Sequence, residues 1–410
     1  MQADLTNLPL RSYMYAFKGV TAILPFRWPE VIDGEGCLAG LAQRVQDDGF
    51  QRVLLVTDAS ILQLGLAQPV IDSCAEIGVE LAIFADVTPD PSITVIEAGV
   101  TAANEHAAQA IIAIGGGSVI DAAKMIGACV LNHKPIVKMT GMFRVRKGML
   151  PLYAAPTTAG TGSEATIAAV VSDPQAQRKM AILDLKLMPK VALLDPLLTV
   201  NLPAPITATT GMDALTHAIE AYLSRNALQR TDELALKAAR LINTWLPKAY
   251  TNGQHVEARA QMSKAAMLAG QAFTQAGVGY VHAIAHGLGA RYHIPHGLAN
   301  AMVMPHVLRF SNPACAKRMA ELATVMGLNG QAGSQTDDEL AHMLIERVEQ
   351  LNQKFAIPST VSELRAEDIA AIIQAARAEA KFTYAVPRYM TQYEGEQLLG
   401  QMLSDRAAAD

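Results

Sequence analysis

Histidine is unevenly spread along this chain of 410 residues, and the dense region is the first place to expect chemistry. Five of the ten histidines lie between residues 282 and 306, separated mainly by Ala, Ile, Leu, Val and Met. Imidazole ligates borderline metal ions and exchanges protons near neutral pH, so this density predicts a metal site with acid–base chemistry. A solvated histidine-rich loop is the alternative, and it is disfavoured because such spacers are typical of a packed interior. The five are His282, His286, His293, His296 and His306.

The spacing of the candidate ligands narrows this prediction. Asp213 and His217 are four residues apart in a helical pattern, so both side chains project from one helix face. His282 and His286 repeat that spacing, and His296 follows a Gly/Pro turn that can fold it back. Either pair alone would more often be a helix surface pair or a satisfied core histidine. Together, one carboxylate and two or three imidazoles predict a site for Zn²⁺, Fe²⁺ or a similar ion. The other histidines of the region are assigned supporting or structural roles: His293 and His306.

The composition is that of a large globular protein. With 51% hydrophobic and 17% charged residues, the chain can bury a large core, and its length predicts two or three domains of about 150 residues. A net charge of −5 offers no basic stripe for nucleic acid and no polybasic membrane patch. The N-terminal segment lacks a signal-peptide pattern, and no apolar run approaches about 18 residues, so we expect a cytoplasmic protein. Scattered cysteines fit reduced, buried thiols: Cys37, Cys74, Cys129 and Cys315.

The elements that must position these residues differ between the two halves of the chain. Short apolar runs alternate with helical patterns as far as residue 202, which predicts a parallel sheet covered on both faces. Beyond Pro203 the strand signal fades and long helical periods take over. We therefore expect an α/β domain over residues 1–202 and an all-helical domain over 203–410. The predicted strands lie at 52–58, 80–87, 109–117, 150–156 and 190–196.

A glycine turn in the first half predicts phosphate binding. Gly115, Gly116 and Gly117 end an apolar run, and Ser118 begins a helical one. Free N–H groups at a helix start favour a diphosphate, and only glycine lets a ligand approach the backbone so closely. The alternative is an ordinary tight turn between a strand and a helix. The pattern is not the G-x-G-x-x-G fingerprint, so it does not imply an ordinary Rossmann enzyme.

Two other segments of the first half could contact a dinucleotide. Asp58 follows a predicted strand, where a carboxylate can bind the adenosine ribose and repel a 2′-phosphate, favouring NAD over NADP. A helix N-cap is an equally good interpretation of Asp58. Residues 155–166, APTTAGTGSEAT, also follow a predicted strand and offer several hydroxyl and amide donors. The alternative there is a polar turn capped by Thr161 or Ser163.

These motifs, taken together, resemble those of a known family. The segments GGGSVIDAAK, PTTAGTGSEAT, GMDALTHAIEAY and VHAIAHGLGARYHIPHGLANAMVMPHV are similar, in order and spacing, to those of the iron-dependent (group III) alcohol dehydrogenases. That family includes lactaldehyde reductases and butanol dehydrogenases. The resemblance covers nearly the whole chain. It implies an α/β dinucleotide-binding domain, an all-helical metal domain, an active site in the cleft between them, and a homodimer.

The resemblance also assigns roles to individual residues. It implies four ligands for Fe²⁺, with Zn²⁺ possible: Asp213, His217, His282 and His296. His286, which spacing alone leaves as a possible ligand, would instead be catalytic, near the nicotinamide and the substrate. The implied NAD-binding residues are Gly115, Gly116, Gly117 and Ser118 for the pyrophosphate, Asp58 and Asp90 for the adenosine side, and Thr157, Thr158, Thr161 and Lys179 for the nicotinamide side.

The implied function is a metal-dependent, NAD-linked alcohol dehydrogenase that interconverts a primary alcohol and its aldehyde by hydride transfer to nicotinamide C4. This chain has Ala168 where lactaldehyde reductases have a polar Asn, and Phe382 replaces a smaller residue. With Phe273 these residues would line an apolar pocket, so simple aliphatic or aromatic alcohols are expected rather than diols. The alternatives are a polyol oxidoreductase resembling glycerol dehydrogenase and a non-redox lyase resembling dehydroquinate synthase.

Overall fold

The computed structural model describes residues 18–19, 22–174, 178–330 and 335–404. Phe382 belongs to a described helix, but its side chain lies outside what the structure describes. The described residues group into two compact units. The sheet unit contains residues 26–203 and 252–270, and the helical unit contains the other described residues. The domain division at residues 202 and 203 stays a prediction.

The sheet unit is built on six parallel strands in the order β1-β9-β6-β4-β2-β3. Each of the five apolar runs predicted as strands contains one of them. The edge strand β1 was missed, since its residues are mostly exposed and carry no apolar run. The six strands are β1 (Glu30–Asp33), β2 (Arg52–Val56), β3 (Glu80–Phe84), β4 (Ala110–Gly115), β6 (Leu152–Pro156) and β9 (Val191–Leu194).

Both faces of this sheet are buried, which explains why its central strands are apolar throughout rather than alternating. Leu54 and Ile111 belong to one hydrophobic cluster, whereas Val53 and Ile112 belong to a second cluster. Because successive side chains of a strand point to opposite faces, the two clusters lie on opposite sides of the sheet. The helices of this part are α1 (Leu41–Asp47), α2 (Ala59–Gln63), α3 (Gln68–Ile77), α4 (Ile93–Glu105) and α5 (Gly117–Asn132).

A second, smaller sheet follows the hydroxyl-rich segment. Its order is β5-β8-β7, with β7 and β8 antiparallel and β5 parallel to β8. None of its strands was predicted, because a strand such as RKMAIL at 178–183 mixes charged and apolar residues without a clear period. The strands are β5 (Gly141–Met142), β7 (Ala168–Asp173) and β8 (Arg178–Leu183).

After residue 203 the named elements of the described chain are all helices, so the predicted fold class is confirmed: an α/β part with a parallel sheet, then an all-helical part. Helix α6 is buried almost continuously from Gly211 to Leu223, as expected of a central helix. No described helix has the length and apolarity needed to span a bilayer. The helices are α6 (Ala204–Leu223), α7 (Gln229–Thr251), α8 (Val256–Ala276), α9 (Tyr280–Tyr292), α10 (His296–Val325), α11 (Asp337–Lys354), α12 (Ala366–Thr383) and α13 (Gln392–Gly400).

Candidate active site

Three helices of the helical unit bring one carboxylate and three imidazoles together. Asp213 and His217 lie one turn apart on α6, His282 lies on α9, and His296 is the first residue of α10. Each offers a ligand atom, and the four atoms all lie within 4.8 Å of one another. Three of these residues are buried, whereas the His296 side chain is 38% exposed. Three of the four candidate ligands are therefore shielded from solvent, and His296 is the one that reaches it.

The turn between α9 and α10 folds His296 back toward the other three residues. Helix α9 ends at Tyr292, its C-cap residue His293 has the left-handed φ of 57°, and Pro295 precedes the first turn of α10. Gly297 makes the close approach possible, since a Cβ there would lie 2.4 Å from the carbonyl oxygen of Thr209 and 3.3 Å from Cβ of Asp213. A side chain at this position would push the start of α10 away from α6.

Glu220 fixes the orientation of His282. Nδ1 of His282 lies 2.6 Å from Oε2 of Glu220, which also accepts an N–H bond from Gly279, while Oε1 accepts one from Val281. A carboxylate at Nδ1 keeps the proton there and leaves the lone pair on Nε2. Nε2 is the nitrogen that faces Asp213, at 4.0 Å from Oδ1. Burial, reinforced by the neighbouring imidazoles, holds the pKa of His282 well below its ordinary value, so the ring is neutral at pH 7. Burial raises the pKa of Glu220, whereas the N–H bonds from Gly279 and Val281 lower it and favour the carboxylate form that holds the His282 proton.

His286 lies beside the cluster but has a different partner. Its Nδ1 is 2.9 Å from Oε1 of Glu379, and its ring stacks on His296 with centroids 5.4 Å apart. Tyr384 donates its hydroxyl to the same Glu379 oxygen. Burial and the charge of Glu379 raise the pKa of Tyr384 well above its ordinary value, so the phenol keeps its proton. Glu379 and Tyr384 were not predicted, because they lie far along the chain from the histidines and have no motif of their own.

In the sheet unit, the two candidate cofactor turns lie side by side. They follow β4 and β6, which are adjacent parallel strands, so both emerge at the same sheet edge. A Cβ on Gly117 would lie 2.7 Å from Cγ2 of Thr161, and one on Gly116 would lie 3.6 Å from Cγ2 of Thr158. Gly116 is the N-cap of α5 and has no side chain to occupy the first N–H groups of that helix. The predicted turn is therefore a helix start that has no side-chain cap on its first N–H groups.

Of the other residues assigned to the dinucleotide, Asp90 and Lys179 contact each other, and Asp58 caps a helix. The N–H of Asp90 donates to Oγ of Ser118 at 3.3 Å, and Nζ of Lys179 lies 2.6 Å from Oδ1 of Asp90. The resemblance assigned Asp90 and Lys179 to different ends of the cofactor, whereas in this structure they form an ion pair. Asp58 caps α2, and its Oδ1 accepts the N–H bonds of Ser60 and Ile61.

Comparison with known proteins identifies the family. A family model described as "Iron-containing alcohol dehydrogenase" matches residues 29–196, and one described as "Fe-containing alcohol dehydrogenase family, C-terminal" matches residues 207–403. The chain belongs to the iron-containing alcohol dehydrogenase family. The family resemblance found in the sequence motifs is thus confirmed, and so is the predicted class of enzyme, an alcohol dehydrogenase.

Individual relatives resemble this alcohol dehydrogenase over nearly its full length. It is 39% identical over 377 residues to the "NAD-dependent methanol dehydrogenase" of Bacillus methanolicus, covering 92% of this chain and 98% of the relative. A solved 1,3-propanediol oxidoreductase has a TM-score of 0.89 and 33% identity, covering 93% of this chain and 100% of the other. Sulfoacetaldehyde reductase from Bifidobacterium kashiwanohense, solved with NAD⁺, has a TM-score of 0.83 and 28% identity, covering 93% and 99%. These relatives favour neither the polyol nor the lyase alternative.

The predicted pocket residues of this alcohol dehydrogenase are only partly described. Phe273 stacks on the ring of His217 with centroids 4.3 Å apart, so one aromatic face does cover the cluster. Ala168 begins β7, where its carbonyl oxygen accepts a bond from Lys124 at 2.8 Å. The side chain of Phe382 lies outside the described residues.

Two histidines were assigned supporting or structural roles. Of these, His293 is the C-cap of α9, and Nδ1 of His306 lies 3.2 Å from Oε1 of Gln401.

Buried charges beneath the cofactor turns were also missed by the sequence analysis. Lys124 is fully buried on α5, and its ammonium donates to both the carbonyl and hydroxyl oxygens of Thr166. Burial lowers the pKa of Lys124 to about 8 and raises the pKa of nearby Glu164 to about 7. In the sequence Lys124 lies within GGGSVIDAAK and Glu164 within PTTAGTGSEAT. Neither motif indicates that the charged side chain is buried.

Proposed function

We propose that this alcohol dehydrogenase interconverts primary alcohols and aldehydes, with NAD as the hydride carrier and Fe²⁺ held by one carboxylate and three imidazoles. The observation that supports it most directly is the convergence of four ligand atoms within 4.8 Å of one another. The proposed ligands are Asp213, His217, His282 and His296.

The chemistry of this donor set fits a divalent ion. A buried carboxylate among apolar residues needs a cation or strong donors to offset its desolvation. His282 is neutral, with its Nδ1 proton engaged by Glu220, so Nε2 has a free lone pair. Nitrogen and oxygen donors of this kind suit Fe²⁺ and Zn²⁺ similarly, and we favour Fe²⁺ because the family is described as iron-containing.

In this proposal the chain's own residues orient the substrate and move its proton. When bound, the ion supplies a Lewis acid for the alcohol oxygen, and the dinucleotide supplies the hydride acceptor. Phe273 provides an apolar wall beside His217, which favours an alkyl or aryl substituent over a second hydroxyl group. His286 carries the alcohol proton at Nε2, since Glu379 engages its Nδ1.

We assign the dinucleotide to the two turns of the sheet unit. The glycines 115–117 and Ser118 would hold the pyrophosphate, and the hydroxyl groups of Thr157, Thr158 and Thr161 would face the nicotinamide side. Asp58 would select NAD over NADP, since Oδ2 of its carboxylate is not used by the two capping bonds. The D58N variant tests this assignment, because Asn retains the cap but not the charge. We expect its preference for NAD over NADP to fall about tenfold, which corresponds to about 1.4 kcal/mol.

The experiment that tests the function begins with anaerobic purification and elemental analysis. The metal-free protein is then loaded separately with Fe²⁺ and Zn²⁺ and assayed for NADH formation with primary alcohols and with glycerol. We expect one ion per chain and turnover of ethanol, butanol or benzyl alcohol with Fe²⁺. Turnover of glycerol alone, or no net NADH with any alcohol, would contradict the proposal. We also expect a cytoplasmic homodimer, whose mass light scattering can measure.

A further inference from the structure

Asn300 faces the candidate metal cluster from within it. It lies one helical turn after His296 on α10 and is completely buried. Its amide nitrogen Nδ2 donates to Oδ1 of Asp213 at 2.7 Å. The same nitrogen lies 3.3 Å from Nε2 of His282 and 3.1 Å from Nε2 of His296. One side-chain amide therefore contacts three of the four proposed ligand atoms.

The orientation of this amide follows from the chemistry of its neighbours. Nε2 of His282 is an acceptor, because Glu220 engages the Nδ1 proton, and a carboxylate oxygen of Asp213 is an acceptor too. An amide oxygen in the same position would meet lone pairs only. The N–H groups therefore turn toward the cluster, and among the described residues Oδ1 of Asn300 has no hydrogen-bond partner. The donation to Asp213 is therefore the shortest hydrogen bond that this buried amide makes.

We propose that Asn300 is a positioning residue for the metal centre: its amide N–H donates to Oδ1 of Asp213 and holds that carboxylate in place at the centre of the cluster, and it is not itself a ligand. The inference rests on the proposed function, since it needs a metal to bind there. Four acceptors at this distance repel one another, and a partial positive charge between them lowers that repulsion. Asp213 has lone pairs enough to accept from Asn300 and to ligate an ion at the same time, whereas Nε2 of His282 and of His296 each has one lone pair, which the ion would take.

The same helix offers a matched control. Asn312 is also buried on α10, its Nδ2 donates to Oδ1 of Asp338 at 2.8 Å, and its Oδ1 likewise has no hydrogen-bond partner among the described residues. It lies 12 residues further along, which is about 18 Å of helix. N312A thus removes the same kind of bond from the same helix without touching the cluster, and it separates a loss of stability from a loss of positioning.

The experiment measures metal affinity by competition with a chelator, using Co²⁺ as a spectroscopic probe alongside Fe²⁺, for wild type, N300A and N312A. We expect N300A to bind 10- to 100-fold more weakly, as is typical when a contact that orients a ligand is lost. N312A should stay within about threefold of wild type. At saturating Co²⁺ the visible spectrum of N300A should match that of wild type, because the ligands are unchanged.

Two results would overturn the inference. Equal affinity in N300A and wild type would show that the amide positions nothing, and a changed spectrum at saturation would show that Asn300 is a ligand. If N300A does not fold, N300S decides, since it retains one O–H donor and disturbs the packing less. We expect N300S to bind the metal about three- to tenfold more weakly than N312A does. A metal affinity equal to that of wild type would count against the inference. Failure of wild type itself to bind an ion would refute the proposed function instead.

Discussion

The metal cluster and the cofactor turns are constructed in different ways. The cluster consists of side chains, two of them one turn apart on α6, held by a carboxylate at Nδ1 and an amide inside. The turns consist largely of backbone, with glycines that let Thr158 and Thr161 approach the start of α5. A side-chain site should fail when one functional group is removed, whereas a backbone site should fail when a group is added.

The largest expected effect is on the cluster. H282A removes a neutral imidazole that Glu220 orients, and we expect metal affinity to fall on the order of 100-fold or more, with activity lost in parallel. NADH binding, measured by fluorescence, should be retained because the cofactor turns belong to the other unit. H306A, which alters a half-buried histidine outside the cluster, is the control. Full metal content in H282A would show that His282 is not a ligand.

The next effect separates catalysis from metal binding. H286A should keep its metal and its NADH affinity, while kcat falls about 10²- to 10⁴-fold, because the proton carrier is gone. In E379A kcat should fall less than in H286A, because the imidazole of His286 remains and only the carboxylate that orients it is lost. Elemental analysis and steady-state kinetics check both variants. Loss of metal in H286A would make this histidine a ligand instead.

For the cofactor turns the informative change is an addition. G117A introduces a methyl group 2.7 Å from Cγ2 of Thr161, so the two turns must separate. We expect NADH to bind about tenfold more weakly, about 1.4 kcal/mol, with metal content unchanged. G40A is the control, because Gly40 has a φ of −80° and a methyl group there would meet nothing within 4 Å. Unchanged NADH affinity in G117A would separate this turn from the dinucleotide.

The last expected effect is on stability rather than on binding or catalysis, and it concerns the buried charge under the turns. The pKa of Glu164 is raised by burial to about 7 in the folded protein, so the native state binds more protons than the unfolded state between pH 4.5 and pH 7. Its ionisation therefore destabilises the fold progressively as the pH rises through that window. E164Q should be more stable than wild type at pH 8 by about 1–3 kcal/mol and show little difference at pH 4.5. Thermal unfolding at both pH values measures this, and an equal difference at both would contradict it.

The same contrast explains what the sequence predicted. The four-residue spacings of α6 and α9 put Asp213, His217 and His282 on defined faces, and the turn before His296 was recognisable from Gly and Pro. Residues that act through tertiary contact could not be read in this way. Glu379 reaches His286 from α12, and Asn300 has the same sequence context as any buried helical residue. Similarly, the central strands were predicted from burial on both faces, whereas exposed β1 was not.

One feature of the sheet affects how the chain is made. Glu30, at the start of β1, pairs with Val191 of β9, and the carboxylate of Asp195 accepts N–H bonds from Gly36 and Leu38. Because β9 separates β1 from β6, β1 has no docking place in the sheet until β9 has been translated. Residues 252–270 join the sheet unit later still. Until β9 has been translated, β6 has an unpaired edge that can form non-native strand pairs during synthesis.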